Sequence, residues 1–241
     1  MATSFADSAE QANPTALAEA RRAGFRQATR VHGSFLATVE KRALVWMAER
    51  MPAWVKSDHL TILGFAAQIA TGVFYALAAR DRRLLLAAIV CLAANWFGDS
   101  LDGTLARVRQ QQRPRYGFYV DHMIDSIGAV AMMGGLALSG FMHPVIAIGL
   151  LIAFLLLSIQ SYLATYTMGE FHLSFWRFGP TELRILLAIG NLSLFRWAWV
   201  MHGHYRLFDI GGAVGLVGMV AMLIVITLKN TARLYREERI G

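Results

Sequence analysis

The sequence predicts an all-α, polytopic membrane protein with six transmembrane helices and an amphipathic helix before them. Of its 241 residues, 56% are hydrophobic and 16% are charged, whereas a soluble domain has about 25% charged residues. The mean hydropathy is +0.44, and several apolar stretches reach the roughly 20 residues that a helix needs to cross a bilayer. These stretches are continuous and not alternating, which favours helices over barrel strands.

Residues 1–56 form the predicted N-terminal region. Residues 1–14 are small and polar, which is typical of a poorly ordered tail. From Thr15 to Trp54, apolar and basic side chains alternate in a helical pattern. This pattern indicates an amphipathic helix in the headgroup plane or against the protein's own cytoplasmic side. No apolar segment typical of a secretory signal occurs in residues 1–30, so the membrane spans themselves are expected to direct targeting.

Residues 57–241 form the predicted transmembrane domain. The uninterrupted apolar run from Pro144 to Leu157 excludes a surface helix at that place. Spans are expected at about 60–80, 84–106, 117–140, 143–167, 182–201 and 208–230.

The basic residues predict the orientation of these spans. Of the 23 Lys and Arg residues, 18 lie on the side of the two termini and five on the other side. Because cytoplasmic segments carry an excess of Lys and Arg, both termini are expected in the cytoplasm, as in a bacterial-type cytoplasmic membrane. The net charge of +7 sits at the ends of apolar segments, which favours anionic lipid headgroups and not nucleic acid as the partner.

Four aspartates lie where the second span ends and the third begins. Asp99 and Asp102 are three residues apart, and Asp121 and Asp125 are four apart, so each pair lies on one face of its helix. A short basic loop joins the two predicted antiparallel helices. The topology therefore predicts that all four carboxylates meet near the cytoplasmic side.

Carboxylates at this depth require a positive partner, since a charge inside a bilayer costs at least about 2.5 to 3.5 kcal/mol. Oxygen ligands without a nearby Cys or His pair favour a hard cation, Mg²⁺ first and then Mn²⁺ or Ca²⁺. Two such ions can clamp a diphosphate.

Small and basic residues around the aspartates indicate a phosphate ligand. Gly103 and Gly117 leave space beside the backbone, Ala106 is small, and Arg107 supplies a fixed cation. Ordinary helix packing is the alternative explanation for any single glycine or alanine.

Together these residues read Asp99-x-x-Asp102-Gly103-x-x-Ala106-Arg107, nine residues, and Gly117-x-x-x-Asp121-x-x-x-Asp125. The pattern resembles that of the CDP-alcohol phosphotransferase, or CDP-alcohol phosphatidyltransferase, family. Members of that family are six-helix integral membrane enzymes that move a phosphoalcohol group from a CDP-linked donor to an alcohol and release CMP.

The resemblance implies a role for each motif residue. Asp99, Asp102 and Asp121 would hold Mg²⁺, as two ions for which Mn²⁺ can substitute, and Asp125 would share the second ion and act as general base. The CDP pocket would be lined by Gly103, Ala106, Arg107 and Gly117. Residues 57–241 would then be the catalytic domain, and a homodimer is expected from the family alone.

The substrates are less defined by the sequence. Arg177 and Arg184 are candidates for binding a phosphorylated acceptor or the lipid phosphate of the donor, with a role as cytoplasmic anchors as the alternative. CDP-diacylglycerol is the favoured donor, because a two-chain lipid can enter between helices.

Two alternative functions stay open. One is a CDP-choline or CDP-ethanolamine type of transferase with diacylglycerol as acceptor. The other is a divalent-cation transporter, which predicts polar residues along a path to the far side. Spans four to six offer few such residues: Ser158, Gln160, Ser161 and Asn191.

Overall fold

The computed structural model of the chain describes residues 37–168, 180–196, 199–200 and 205–239. Within these ranges the fold is helical, which confirms the predicted class, and one short strand pair occurs. The helices are α1 (Ala37–Arg50), α2 (Ser57–Ala78), α3 (Leu84–Val108), α4 (Pro114–Leu138), α5 (Pro144–Met168), α6 (Pro180–Arg196) and α7 (Leu207–Glu237). The strands β1 (Trp199–Val200) and β2 (Tyr205–Arg206) pair antiparallel.

A helix lies at each of the six predicted spans, but their membrane-crossing character differs. Among the described residues, four helices are long and apolar enough to cross a membrane by length and composition: α2, α3, α5 and α7. The count of six spans therefore stays a prediction. The predicted end of the fifth span at about residue 201 was wrong, because Trp199–Val200 form β1 and α6 is Pro180–Arg196.

Proline and one left-handed residue set several helix boundaries. α4, α5 and α6 each begin at a proline: Pro114, Pro144 and Pro180. A proline fits the first helical turn because that position needs no amide donor. Gln110, just after α3, has φ 55°, a left-handed conformation that cannot continue a helix.

Glycines bring α2 close to both α3 and α4. A Cβ atom added to Gly98 would lie 2.6 Å from the amide nitrogen of Gly64. A Cβ atom on Gly135 would lie 2.6 Å from the carbonyl carbon of Gly72. Small residues permit such approach of two backbones in membrane proteins. The crossing of α2 and α3 therefore lies directly beside Asp99, the residue after Gly98.

Two apolar cores lie at opposite ends of these helices. In the core farther from the aspartates, Tyr75, Leu85 and Leu136 are fully buried, and Asn191 of α6 donates a hydrogen bond of 2.9 Å to the Tyr75 hydroxyl. In the other core, Leu44 and Ala48 of α1 pack against α3. This second contact docks α1 beside the aspartate motif.

Arg109, in the loop after α3, ties this loop to the end of α1. Its guanidinium donates hydrogen bonds of 2.9 Å to the backbone carbonyls of Met51 and Pro52, and a further one to the carbonyl of Val55. Carbonyls after the last turn of a helix lack partners within the helix. Arg109 of the basic loop thus supplies donors to backbone carbonyls in the connection between α1 and α2.

Large apolar side chains cover the outer surface of the bundle. On α7, for example, Val214 and Val217 are each 70% exposed. Soluble monomers rarely expose extended apolar surfaces. Together with the four long apolar helices, this surface indicates an integral membrane protein.

Candidate metal and phosphate site

Three of the four motif aspartates come together between α3 and α4. Asp99 lies on α3, and Asp121 and Asp125 lie on α4. One carboxylate oxygen from each residue falls within 4.8 Å of the other two, and all three residues are partly buried. The predicted meeting of antiparallel helices at their aspartates thus occurs for these three residues.

The donor set of this cluster fits a hard divalent cation. Three carboxylates at this separation repel one another in their charged forms. A divalent cation removes that repulsion, and oxygen ligands are those that Mg²⁺ and Mn²⁺ prefer. The residues present are therefore suited to hold the predicted Mg²⁺.

Asp102 lies outside this group of three and is held by α2. Its carboxylate accepts a hydrogen bond of 2.6 Å from the Thr61 hydroxyl and another from the Gly103 amide. The Ser57 hydroxyl donates to the backbone carbonyl of Asp102 at 2.9 Å. The first five residues of α2 thereby fix the orientation of Asp102.

For the transferase reaction that the sequence resemblance implies, we expect Thr61→Val to lower the rate of CMP release about tenfold, because a hydrogen bond to a charged group contributes about 1.5 to 3 kcal/mol. The change keeps the shape of the side chain and removes the hydroxyl that orients Asp102. Thr61→Ser keeps the hydroxyl and should retain most of the activity. Steady-state assays of the two variants test this, and equal rates would contradict the proposed role of Thr61.

Arg184 of α6 supplies a positive charge to the cluster. Its Nη2 donates to the Asp99 carboxylate at 2.6 Å, and its Nε donates to the side-chain oxygen of Asn95 at 2.8 Å. Asn95 in turn donates to the backbone carbonyl of Gly64 at 2.9 Å. With its side chain only 14% exposed, Arg184 is directed into the cluster and not outward as an interfacial anchor.

The glycines of the motif do not serve helix packing in the described part of the chain. A Cβ atom on Gly103 would meet only the guanidinium of Arg107, at 3.5 Å, and one on Gly117 would meet no described atom within 4 Å. Arg107 is exposed, and its Nη2 donates to the Thr104 hydroxyl at 2.9 Å. Ala106 is half-buried on the same helix. Within the described part of the chain, the space beside Gly103 and Gly117 is thus open to a ligand.

An aromatic group joins α4 to α5 next to the cluster. The His122 ring lies 4.1 Å from the ring centre of Phe118 and 4.8 Å from that of Tyr162 on α5. Its Nδ1 lies 2.6 Å from the Phe118 carbonyl. His122 therefore packs within the fold, between α4 and α5.

Several contacts of the site were missed by sequence reasoning. The amide of Asn95 and the hydroxyl of Thr61 both interrupt apolar helices, and Asn95 precedes Asp99 by one turn. A polar residue one turn from a predicted ligand is a signal that was available. Arg177, the other predicted cation, lies outside the described residues.

A comparison with known protein families gives a match over most of the chain. The family model of CDP-alcohol phosphatidyltransferase matches residues 54–228. The match begins in the connection before α2 and ends within α7, so it includes both helices that carry the aspartates. It covers well over half of the chain.

Proposed function

Because the chain belongs to the CDP-alcohol phosphatidyltransferase family, we propose that it transfers a phosphatidyl group from CDP-diacylglycerol to an alcohol. Membership in the family supports the coarser activity, transfer of a phosphoalcohol group from a CDP-alcohol in lipid synthesis. The cluster of Asp99, Asp121 and Asp125 is the observation that carries the proposal, since a diphosphate donor needs positive charge held at such a place.

The proposal assigns metal binding and general-base catalysis to the four aspartates. Asp99, Asp102 and Asp121 would hold Mg²⁺, with two ions as the proposed number and Mn²⁺ as a substitute. When bound, the metal supplies neutralisation of the diphosphate charge. Asp125 would share the second ion and act as general base. The hydrogen bonds from Thr61 and Gly103 orient Asp102 for its share of this work.

In the transfer step, the carboxylate of Asp125 accepts the proton of the acceptor hydroxyl. The acceptor oxygen then forms a bond to the β-phosphorus of the donor. The bond between that phosphorus and the bridging oxygen breaks, and CMP leaves with the electron pair. Gly103, Ala106, Arg107 and Gly117 line the CDP pocket in this arrangement.

In the proposal, Arg177 and Arg184 bind a phosphate group of the substrate. Arg184 lies at the cluster already, and Arg177 precedes α6 in the sequence. Either a phosphorylated acceptor or the lipid phosphate of the donor is a suitable ligand, because a guanidinium binds phosphate oxygens in pairs.

We further propose how the chain sits in the membrane. Helices α2 to α7 make six spans, with residues 57–241 as the catalytic domain and both termini and the site facing the cytoplasm. Residues 1–56 supply the tail and the amphipathic helix, of which α1 is the described part. Its exposed Trp46 and the adjacent Arg50 suit the headgroup region. The homodimer expected from the family is retained as part of the proposal.

Removal of divalent metal is expected to abolish turnover. Purified protein supplied with radiolabelled CDP-diacylglycerol and a mixture of alcohol acceptors should release CMP with Mg²⁺ or Mn²⁺ and lose that release in excess EDTA. Adding Mg²⁺ back should restore the original rate. Unchanged CMP release in EDTA would contradict a metal role for the aspartate cluster.

The same assay separates the substrate alternatives. Acceptors such as inositol phosphate, glycerol phosphate, serine and glycerol are tested one at a time against the lipid donor. A parallel reaction supplies CDP-choline or CDP-ethanolamine with diacylglycerol. Turnover only in this parallel reaction would replace the proposed donor. Metal flux into proteoliposomes without any CDP turnover would replace the enzyme proposal with transport.

A further inference from the structure

Glu40 of α1 contacts two other helices through one carboxylate oxygen. Its Oε1 accepts a hydrogen bond of 2.7 Å from the indole nitrogen of Trp96 on α3 and one of 2.7 Å from the hydroxyl of Thr181 on α6. Thr181 lies in the first turn of α6, where the partial positive charge of the helix dipole favours a carboxylate. A single side chain thus joins α1, α3 and α6.

Both donors to Glu40 stand one turn before a residue of the site. Trp96 precedes Asp99 by three positions, and Thr181 precedes Arg184 by three positions. Residues three apart in a helix lie on the same face. The bridge through Glu40 therefore lies one helical turn away from the ion pair that joins Arg184 to Asp99.

Two links together fix the position of the start of α6 along the axis of α3. One link is the bridge through Glu40, and the other consists of the bonds from Arg184 to Asp99 and Asn95. If the bridge is lost, the start of α6 still has the bonds of Arg184 at the reacting site, and Asn191 still bonds Tyr75 near the other end of the helix. The position of the guanidinium then depends on its own contacts, which a bound substrate would have to share.

We propose that Glu40 is a positioning residue, which holds Arg184 against the aspartate cluster through Thr181 and Trp96. The inference rests on the proposed function, since it assigns to α1 a role in the same reaction. It acts through Arg184 and not by contact with substrate. A displacement of about 1 Å in a binding group can cost about a hundredfold in rate. Loss of the Glu40 bridge, one helical turn from Arg184, is therefore expected to lower turnover.

Thr181→Val is the sharpest test, because it removes one hydroxyl, keeps the side-chain shape and leaves the charge of Glu40 in place. We expect kcat/KM for the CDP-linked donor to fall about tenfold. Thr181→Ser, which retains the hydroxyl, should stay within about twofold of the unaltered protein. Thr167→Val is the matched control, since the exposed Thr167 bonds only the Leu163 carbonyl of its own helix in the described structure.

A mutant cycle with Arg184→Ala distinguishes positioning from general destabilisation. If Thr181 acts through Arg184, Thr181→Val should lower kcat/KM by less than about twofold when Arg184 is already alanine. A full tenfold loss in that background would overturn the proposal, and so would an unchanged rate for Thr181→Val alone. Glu40→Ala should likewise lower kcat/KM, and by less when Arg184 is already alanine. Glu49→Ala, at an exposed position on the same helix, is its control.

Binding of Mn²⁺ without substrate gives a readout that does not depend on turnover. The charge of Arg184 opposes a divalent cation at Asp99, so Arg184→Ala and Thr181→Val should each tighten Mn²⁺ binding about threefold, without adding in the double variant. Electron paramagnetic resonance of free Mn²⁺ measures this. Absence of CMP release by the unaltered protein would overturn only the proposed function, whereas Mn²⁺ affinity changed by Arg184→Ala but not by Thr181→Val would overturn the positioning role.

Discussion

Replacing Asp125 with asparagine is expected to slow CMP release by about 10² to 10⁴, the contribution typical of a general base. The amide cannot accept the proton of the acceptor hydroxyl, and it also removes one of the three charges that meet between α3 and α4. The side-chain size is unchanged, so the fold should survive. Single-turnover measurements with saturating Mg²⁺ separate the loss in the chemical step from a loss in metal binding.

Asp81→Asn is the matched control for this experiment. Asp81 is exposed at the other end of α3 and accepts a hydrogen bond of 2.9 Å from the Arg83 amide. An asparagine oxygen accepts the same bond, so CMP release should stay within about twofold. A rate for Asp125→Asn above one tenth of the normal rate would exclude Asp125 as the general base.

Gly135→Ala is expected to destabilise the fold by about 3 kcal/mol, at the upper end of the cost of overpacking. The added methyl group would press on the carbonyl of Gly72, and backbone on both sides leaves no flexible side chain to move aside. The helices α2 and α4 would have to separate. For a chain of this length, such a loss lowers Tm by roughly 6 to 12 °C.

Gly134→Ala is the control, because it is not expected to lower Tm. A Cβ atom on Gly134 would meet no described atom within 4 Å. Since alanine favours a helix over glycine by about 1 kcal/mol, Gly134→Ala should leave Tm unchanged or raise it. The Tm of each variant is measured in detergent by heating samples and quantifying the remaining folded protein by size-exclusion chromatography. Equal Tm values would contradict the close contact of α2 and α4.

The helices and the aspartate cluster were predictable because both depend on short-range spacing. An apolar run fixes the position of a helix such as α5, predicted at 143–167 and found at Pro144–Met168. The four-residue spacing of Asp121 and Asp125 fixes their common face. A short loop between antiparallel helices then leaves few ways to place Asp99.

The contacts that complete the site could not be predicted because they join distant parts of the chain. Arg184 binds Asp99 across 85 positions, and Thr181 binds Glu40 across 141. A single apolar sequence does not specify which helix packs beside which, since lipid and a neighbouring helix are equally apolar surroundings. The short strands after α6 were missed for another reason, because two residues carry no periodic pattern.

The cap that Arg109 places on the end of α1 has a consequence for biosynthesis. Its acceptors at Met51 and Val55 leave the ribosome 58 and 54 residues before Arg109 does. A nascent chain can therefore complete α2 and most of α3 while these carbonyls still lack their donor. The first described helix, α1, thus gains these bonds only after the first aspartate pair has been synthesised.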